Sequence, residues 1–113
     1  MNKIFRIRDE REFQKIINQK RFAANKAFVI YYCDMSLEHA RVGISVGKKL
    51  GRATERNRIK RQVRMMFQEM MKHSLDKDMI CIVRQGYLEH SFKENKKLLE
   101  NLVFKVNIVV DER

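Results

Sequence analysis

Apolar positions change their period several times along the chain, and each change marks an element. Phe13, Ile16 and Ile17 recur at helical spacing behind Asp9, with Glu12 three residues after it. This predicts a helix that starts at Asp9 and ends near Lys20. Residues 21 to 25 read as a turn or a short strand. Residues 27 to 34 predict a strand with Phe28, Ile30 and Tyr32 on one face and Val29, Tyr31 and Cys33 on the other. Both faces are apolar or aromatic, so both are expected to be covered at least in part. Residues 35 to 40 are polar and predict a reversal that lays the next strand antiparallel to this one. In that strand Val42, Ile44 and Val46 alternate with Arg41, Gly43, Ser45 and Gly47.

The second half repeats the alternation of types. A basic loop, residues 48 to 53, is punctuated by Gly51. Thr54 is the expected N-cap of a long helix ending near Ser74, and Glu55 stands where the helix dipole favours an acid. Ile59, Val63, Met66, Phe67 and Met70 form its apolar stripe. At ~100° per residue, Asn57, Lys60, Arg61, Arg64 and Gln68 fall on roughly the opposite face. Residues 75 to 78 connect to a β-rich run, MICIVR, at 79 to 84, and residues 85 to 90 read as a loop. Ser91 and Glu94 make a capping-box pattern ahead of a final helix marked by Phe92, Leu98, Leu99, Leu102, Val103 and Val106. Residues 108 to 110 are β-prone.

The predicted order is helix, strands, helix, strand, helix: an α+β, two-layer sandwich with one sheet. The 113 residues contain no proline, repeat or linker to divide them, so residues 1 to 113 are expected to form a single domain. The long helix joins two strands and would be a β-α-β crossover if those strands are parallel; such crossovers are right-handed in almost all proteins.

Charge changes the picture most. The net charge is +11, and residues 41 to 64 carry nine Lys or Arg against the single acid Glu55. That stretch therefore holds +8, while the remaining residues hold only +3. A local block of one sign makes a field that a polyanion can feel. Arg outnumbers Lys within the helical part, and Arg makes the planar, bidentate phosphate contacts that Lys cannot. Nucleic acid is favoured over a membrane, since the cations do not sit on a simple amphipathic surface helix. No segment approaches the ~18 apolar residues of a membrane span. The start lacks the apolar core of a signal peptide, which predicts a cytoplasmic protein. Cys33 and Cys81 read as small buried thiols, and no disulfide is expected. The two cysteines and the three histidines show no metal-ligand spacing.

No protein-only catalytic constellation is visible. The acids are dispersed, and Gly43, Gly47 and Gly51 do not form a P-loop. Ser45 and Thr54 read as a strand serine and a helix cap.

The run Arg56-Asn57-Arg58, continued by Ile59-Lys60-Arg61 and Arg64, resembles the RNR motif of bacterial ribonuclease P protein subunits. RVGISV at 41 to 46, KKLG at 48 to 51, Phe13-Gln14-Lys15, and Ala24-Asn25 before Phe28-Val29 are similar to that family too. The order and spacing of these pieces, across nearly the whole chain, carry the resemblance; the tripeptide alone would be weak. It implies a left-handed β-α-β crossover and a protein that assists an RNA catalyst. That RNA would remove the 5′ leader of precursor tRNA with Mg²⁺, held mainly by RNA and substrate. The implied partners are the catalytic RNA and precursor tRNA, with no membrane and no small-molecule substrate.

Two surfaces follow from the resemblance. Lys48, Lys49, Arg52, Arg56, Asn57, Arg58, Lys60, Arg61 and Arg64 would meet the catalytic RNA. Phe13, Ile17 and Tyr31 would line a cleft for single-stranded leader, where unpaired bases stack on aromatic rings. Ile17 departs from a common second aromatic, and Arg52 from a frequent Asn. On residue pattern alone, Phe13 and Tyr31 read as core sooner than as ligand contacts. Competing readings are a ribosomal-protein-like RNA binder without a processing role, a stand-alone nuclease, and a helix-turn-helix DNA-binding protein.

Overall fold

The structure, a computed structural model, describes residues 5 to 107. The β-prone stretch at 108 to 110 lies outside them. Seven elements follow in order: α1 (Glu10–Asn18), β1 (Phe22–Ala24), β2 (Phe28–Asp34), β3 (Val42–Val46), α2 (Ala53–Met70), β4 (Lys77–Val83) and α3 (Phe92–Val106). The strands form one mixed sheet in the order β1-β2-β4-β3.

The expected antiparallel pairing of β2 with β3 is not there. β4 lies between them, antiparallel to β2 and parallel to β3. Strand composition explains the choice. Met79, Ile80 and Cys81 of β4 are fully buried, so this strand needs cover on both faces and takes a central place. β3 carries Gly43 and Ser45 on its second face and serves as an edge. β3-α2-β4 is consequently a parallel crossover unit.

Register divides the side chains cleanly. Phe28 and Ile30 of β2, Val42 and Val46 of β3, and Met79, Cys81 and Val83 of β4 point to one face. There they meet Ile59, Val63, Met66 and Phe67 of α2 and Leu99, Leu102 and Val103 of α3. This is the sandwich core, and its α2 contribution is the apolar stripe visible in the sequence. On the opposite face Ile80 packs with Ile7 and with Ile16 of α1, flanked by Phe13, Ile17, Tyr31, Cys33 and Ile82. α1 covers only part of that face, so these flanking side chains are only half-buried.

The helix ends differ from expectation in instructive ways. Asp9 does cap α1, accepting from Arg11 N at 2.8 Å. Glu12 does not complete a capping box; it turns to Arg41 instead. The helix ends at Asn18, and Lys20 follows in a left-handed conformation with φ of 58°. α2 starts at Ala53 with Arg52 as N-cap, so Thr54 is already inside the first turn. Gly51, with φ of 135°, re-aims the chain there, and the Arg56 N–H donates to Arg52 O at 2.9 Å. α2 stops at Met70 rather than near Ser74, which lets the chain bend so that Leu75 can reach the core. The Ser91–Glu94 capping box of α3 forms in full. Residues 85 to 89 make a 3-10 turn that buries Tyr87 against Phe28.

Asn25 holds the β1–β2 turn to α3. Its Oδ1 accepts from the Ala27 and Phe28 N–H groups at 3.0 and 2.9 Å, and its Nδ2 donates to Leu98 O at 3.0 Å. Cys33 and Cys81 are both free and face opposite sides of the sheet. Cys81 is buried as expected, but Cys33 is only half-buried, because α1 does not extend over it completely.

Candidate nucleic-acid interface

The basic block divides into an exposed face and an enclosed flank. Lys48 and Lys49 project from a 3-10 turn (Lys48–Leu50), Arg52 caps α2, and Asn57, Arg58 and Arg61 are exposed on the helix. Arg56, Lys60 and Arg64, spaced four apart, form a row along one flank and are half-buried. The Arg56 Nε is enclosed and has no hydrogen-bond partner. Lys60 and Arg64 are therefore less outward than expected: at ~100° per residue both lie on the flank of the apolar stripe, and a neighbouring segment approaches Arg64.

That segment is residues 5 to 8. It runs parallel to the open edge of β3, with an Arg6–Val42 bridge and Ile7 N donating to Val42 O at 2.9 Å. It places Arg6 and Arg8 beside Arg64, Phe13 and Ile44 around one concavity. Burial, and then the charges of Arg6 and Arg8, hold the Arg64 guanidinium below the usual arginine range.

Arg41 is the member of the block that is not available. Its Nη2 donates to Glu12 Oε2 at 2.7 Å and to Asp78 Oδ2 at 3.1 Å. Asp78 is 1% exposed and also accepts from Arg41 N. The hydrogen bond to Glu12, ahead of the contribution of Asp78, raises the Arg41 pKa. Among the described residues no carboxylate pairs with any of the nine predicted RNA-facing residues.

Phe13, Ile17 and Tyr31 lie together in one cluster. All three are half-buried on the α1 side of the sheet. Phe22 was missed by sequence reasoning. It is 56% exposed and rests on the Tyr31 ring, 5.4 Å between centroids. The available signal was an aromatic within a short stretch that could be a strand, and it was too weak to decide. Where β3 and β4 end, Lys26, Lys48, Lys49 and Arg84 surround a second concavity of about 590 Å³ floored by Ser45 and Ile82. Lys26 and Arg84 are distant in sequence from the block and join it only through sheet order. Behind it, Tyr87 donates to Gln62 Oε1 at 2.7 Å, and burial pushes its hydroxyl up to about 12.

The arrangement is a helix edged with cations that have no described carboxylate partner, next to a half-buried aromatic and apolar cluster. It can hold phosphates and unpaired bases. The Ribonuclease P family profile matches residues 1–107. The chain belongs to the ribonuclease P protein family. It is 47% identical to the ribonuclease P protein component of Mesoplasma florum over 96 residues, covering 83% of this chain and 87% of that protein. It is 40% identical to the Lactococcus lactis component over 111 residues, covering 98% and 95%. The Staphylococcus aureus RNase P protein superimposes with a TM-score of 0.81 at 40% identity, covering 90% and 94%. The Thermotoga maritima protein gives 0.79 at 28% identity, covering 89% and 96%. These solved folds share the α+β architecture with one mixed sheet. As a ribonuclease P protein the chain is a subunit of a tRNA-processing ribonucleoprotein and an RNA binder. No described helix is long and apolar enough to cross a membrane.

Proposed function

We propose that this subunit uses its two surfaces for two RNAs. The α2 face and the loop before it bind the catalytic RNA through its phosphate backbone. The cleft of Phe13, Ile17 and Tyr31 receives the 5′ leader of precursor tRNA, and the RNA subunit cleaves the leader. The observation that carries this reading is the absence of any described carboxylate partner along the α2 cations, beside a cluster whose aromatic rings are only half-covered. Cations left unpaired on a folded surface are suited to a polyanion, and half-covered rings to unpaired bases.

Among the described residues no three His, Cys, Asp or Glu converge as a metal site. Mg²⁺ is assigned to the RNA and substrate as part of this reading.

Reconstitution tests the proposal. The protein, a bacterial ribonuclease P RNA and precursor tRNA are combined at low Mg²⁺. Leader release should need both protein and RNA. Release by the protein alone, or no stimulation of the RNA, would sink the reading. Phe13→Ala should weaken holoenzyme binding of precursor tRNA far more than of mature tRNA; equal loss would reduce Phe13 to packing.

A further inference from the structure

Arg41 and Arg64 are both held in enclosed settings, and their surroundings are opposite. Arg41 faces the carboxylates of Glu12 and Asp78. Arg64 faces Arg6 and Arg8, in a concavity of about 330 Å³ whose other walls are Ile7, Phe13, Val42 and Ile44. No acid lines it. The Arg6 Nε is enclosed with no hydrogen-bond partner, and among the described residues none of the three guanidinium groups has a carboxylate partner.

Backbone geometry creates this convergence. The segment carrying Arg6 and Arg8 is extended along the β3 edge, anchored through Ile7, whose side chain is buried. Side chains alternate along an extended chain, so Arg6 and Arg8 share the side that Ile7 leaves. α2 supplies Arg64 from across the edge. Like charges gathered in a partly enclosed place repel more strongly than in water. Burial and the two neighbouring cations accordingly depress the Arg64 pKa. A bound oxyanion reverses that balance, and the planar guanidinium fork matches phosphate oxygens.

We propose that Arg6, Arg8 and Arg64 form a seat for one phosphate group at the Phe13 end of the cleft, taken by a backbone phosphate of the strand lying there. The seat would fix that strand's register relative to the Phe13 ring. Its phosphate chemistry stands on the three arginines; its assignment to RNA rests on the function proposed above.

Two measurements on the full chain separate these parts. Inorganic phosphate is titrated while the arginine Nε–H signals are followed by NMR. Saturable shifts at Arg6 and Arg64 are expected in the wild type and should be lost in Arg64→Gln and in Arg8→Ala. Arg8 is exposed, so its variant keeps the fold testable. In the second measurement, RNA affinity is recorded against salt for the triple variant Arg6→Gln, Arg8→Ala, Arg64→Gln. One shared single-strand phosphate predicts a slope smaller by about 0.7, and three separate contacts by about 2. Unchanged phosphate shifts in the variants, or a slope change of about 2, overturn the shared seat. Loss of phosphate shifts with an unchanged slope would assign the seat to soluble phosphate and overturn its place on RNA. Failure of the wild type to bind RNA, with phosphate binding intact, would instead count against the proposed function.

Discussion

The Phe13 ring lies directly on Gly43. A Cβ added at Gly43 would sit 2.5 Å from Phe13 Cε2 and Cζ and 2.9 Å from Ile80 Cδ1. The glycine therefore marks a close approach between α1 and the sheet. Gly43→Ala should destabilise the protein by about 1–3 kcal/mol, the usual cost of overpacking, in urea unfolding. Removing the ring should relieve the clash. Gly43→Ala combined with Phe13→Ala should then cost less than the two single changes added together. Strict additivity would show that the ring is free to move aside.

Arg41 links α1, β3 and β4 through Glu12 and Asp78, and its removal strands a buried carboxylate. Asp78 is 1% exposed, so it cannot recover its hydration in the folded state. Arg41→Ala should cost about 3 kcal/mol, in the range for breaking a buried pair. Arg41→Lys should fall between the two, since one ammonium cannot reproduce the guanidinium contacts to both carboxylates. Chemical denaturation checks both. RNA affinity per folded molecule should change little, because this cation is already paired within the protein.

Arg41 also shows where sequence reasoning stops. In the chain it reads as the first cation of the basic block, and nothing nearby reveals that Glu12 and Asp78 will reach it. Periodic features were legible: the α2 stripe, the strand alternation and the Ser91–Glu94 cap are all local. The position of β4 between β2 and β3 was not, since a polar turn at 35 to 40 looks the same whether it closes a hairpin or crosses an unfilled gap. Phe13, Ile17 and Tyr31 could be grouped only through resemblance. Phe22, Arg6 and Arg8 join the candidate site through pairing of edge strands, which no local pattern encodes.

The two thiols should differ in reactivity. Burial pushes the Cys81 thiol far up, and Cys33 rises less, through burial first and then the Asp78 and Asp34 charges. The thiolate is the reactive form, so both are slowed relative to a free cysteine. With iodoacetamide at pH 8, Cys33 should modify slowly in the native protein and Cys81 only on global unfolding. Equal native rates would contradict the burial of Cys81 beneath α2 and α3.

The α3 cap carries a pH dependence of definite sign. Hydrogen bonds from the Ser91 backbone, then its side chain, hold the Glu94 carboxyl below its ordinary value of 4.5. A depressed folded pKa contributes stability that is present above the unfolded value and lost as pH falls through the folded one. The Tm gap between wild type and Glu94→Gln should therefore be steady from pH 5 to 7, and should shrink below about 4.5. Ser91→Ala should cost about 1 kcal/mol at neutral pH. A Tm gap independent of pH would mean that the carboxylate charge does not matter to the cap.

Phe22 offers the clearest separation of binding from folding. Its ring is 56% exposed and leans on Tyr31, so removing it uncovers little core. If the cleft holds unpaired leader, a base can stack on the free face of this ring. Phe22→Ala should then weaken precursor tRNA binding by about 1–3 kcal/mol, the range for loss of one base–aromatic stack. Mature tRNA, which has no leader, should bind the variant holoenzyme as it binds the wild type. Stability in urea should change by less than 1 kcal/mol, as for other exposed side chains. A variant that lost both RNAs equally, with its fold intact, would place Phe22 outside the leader path.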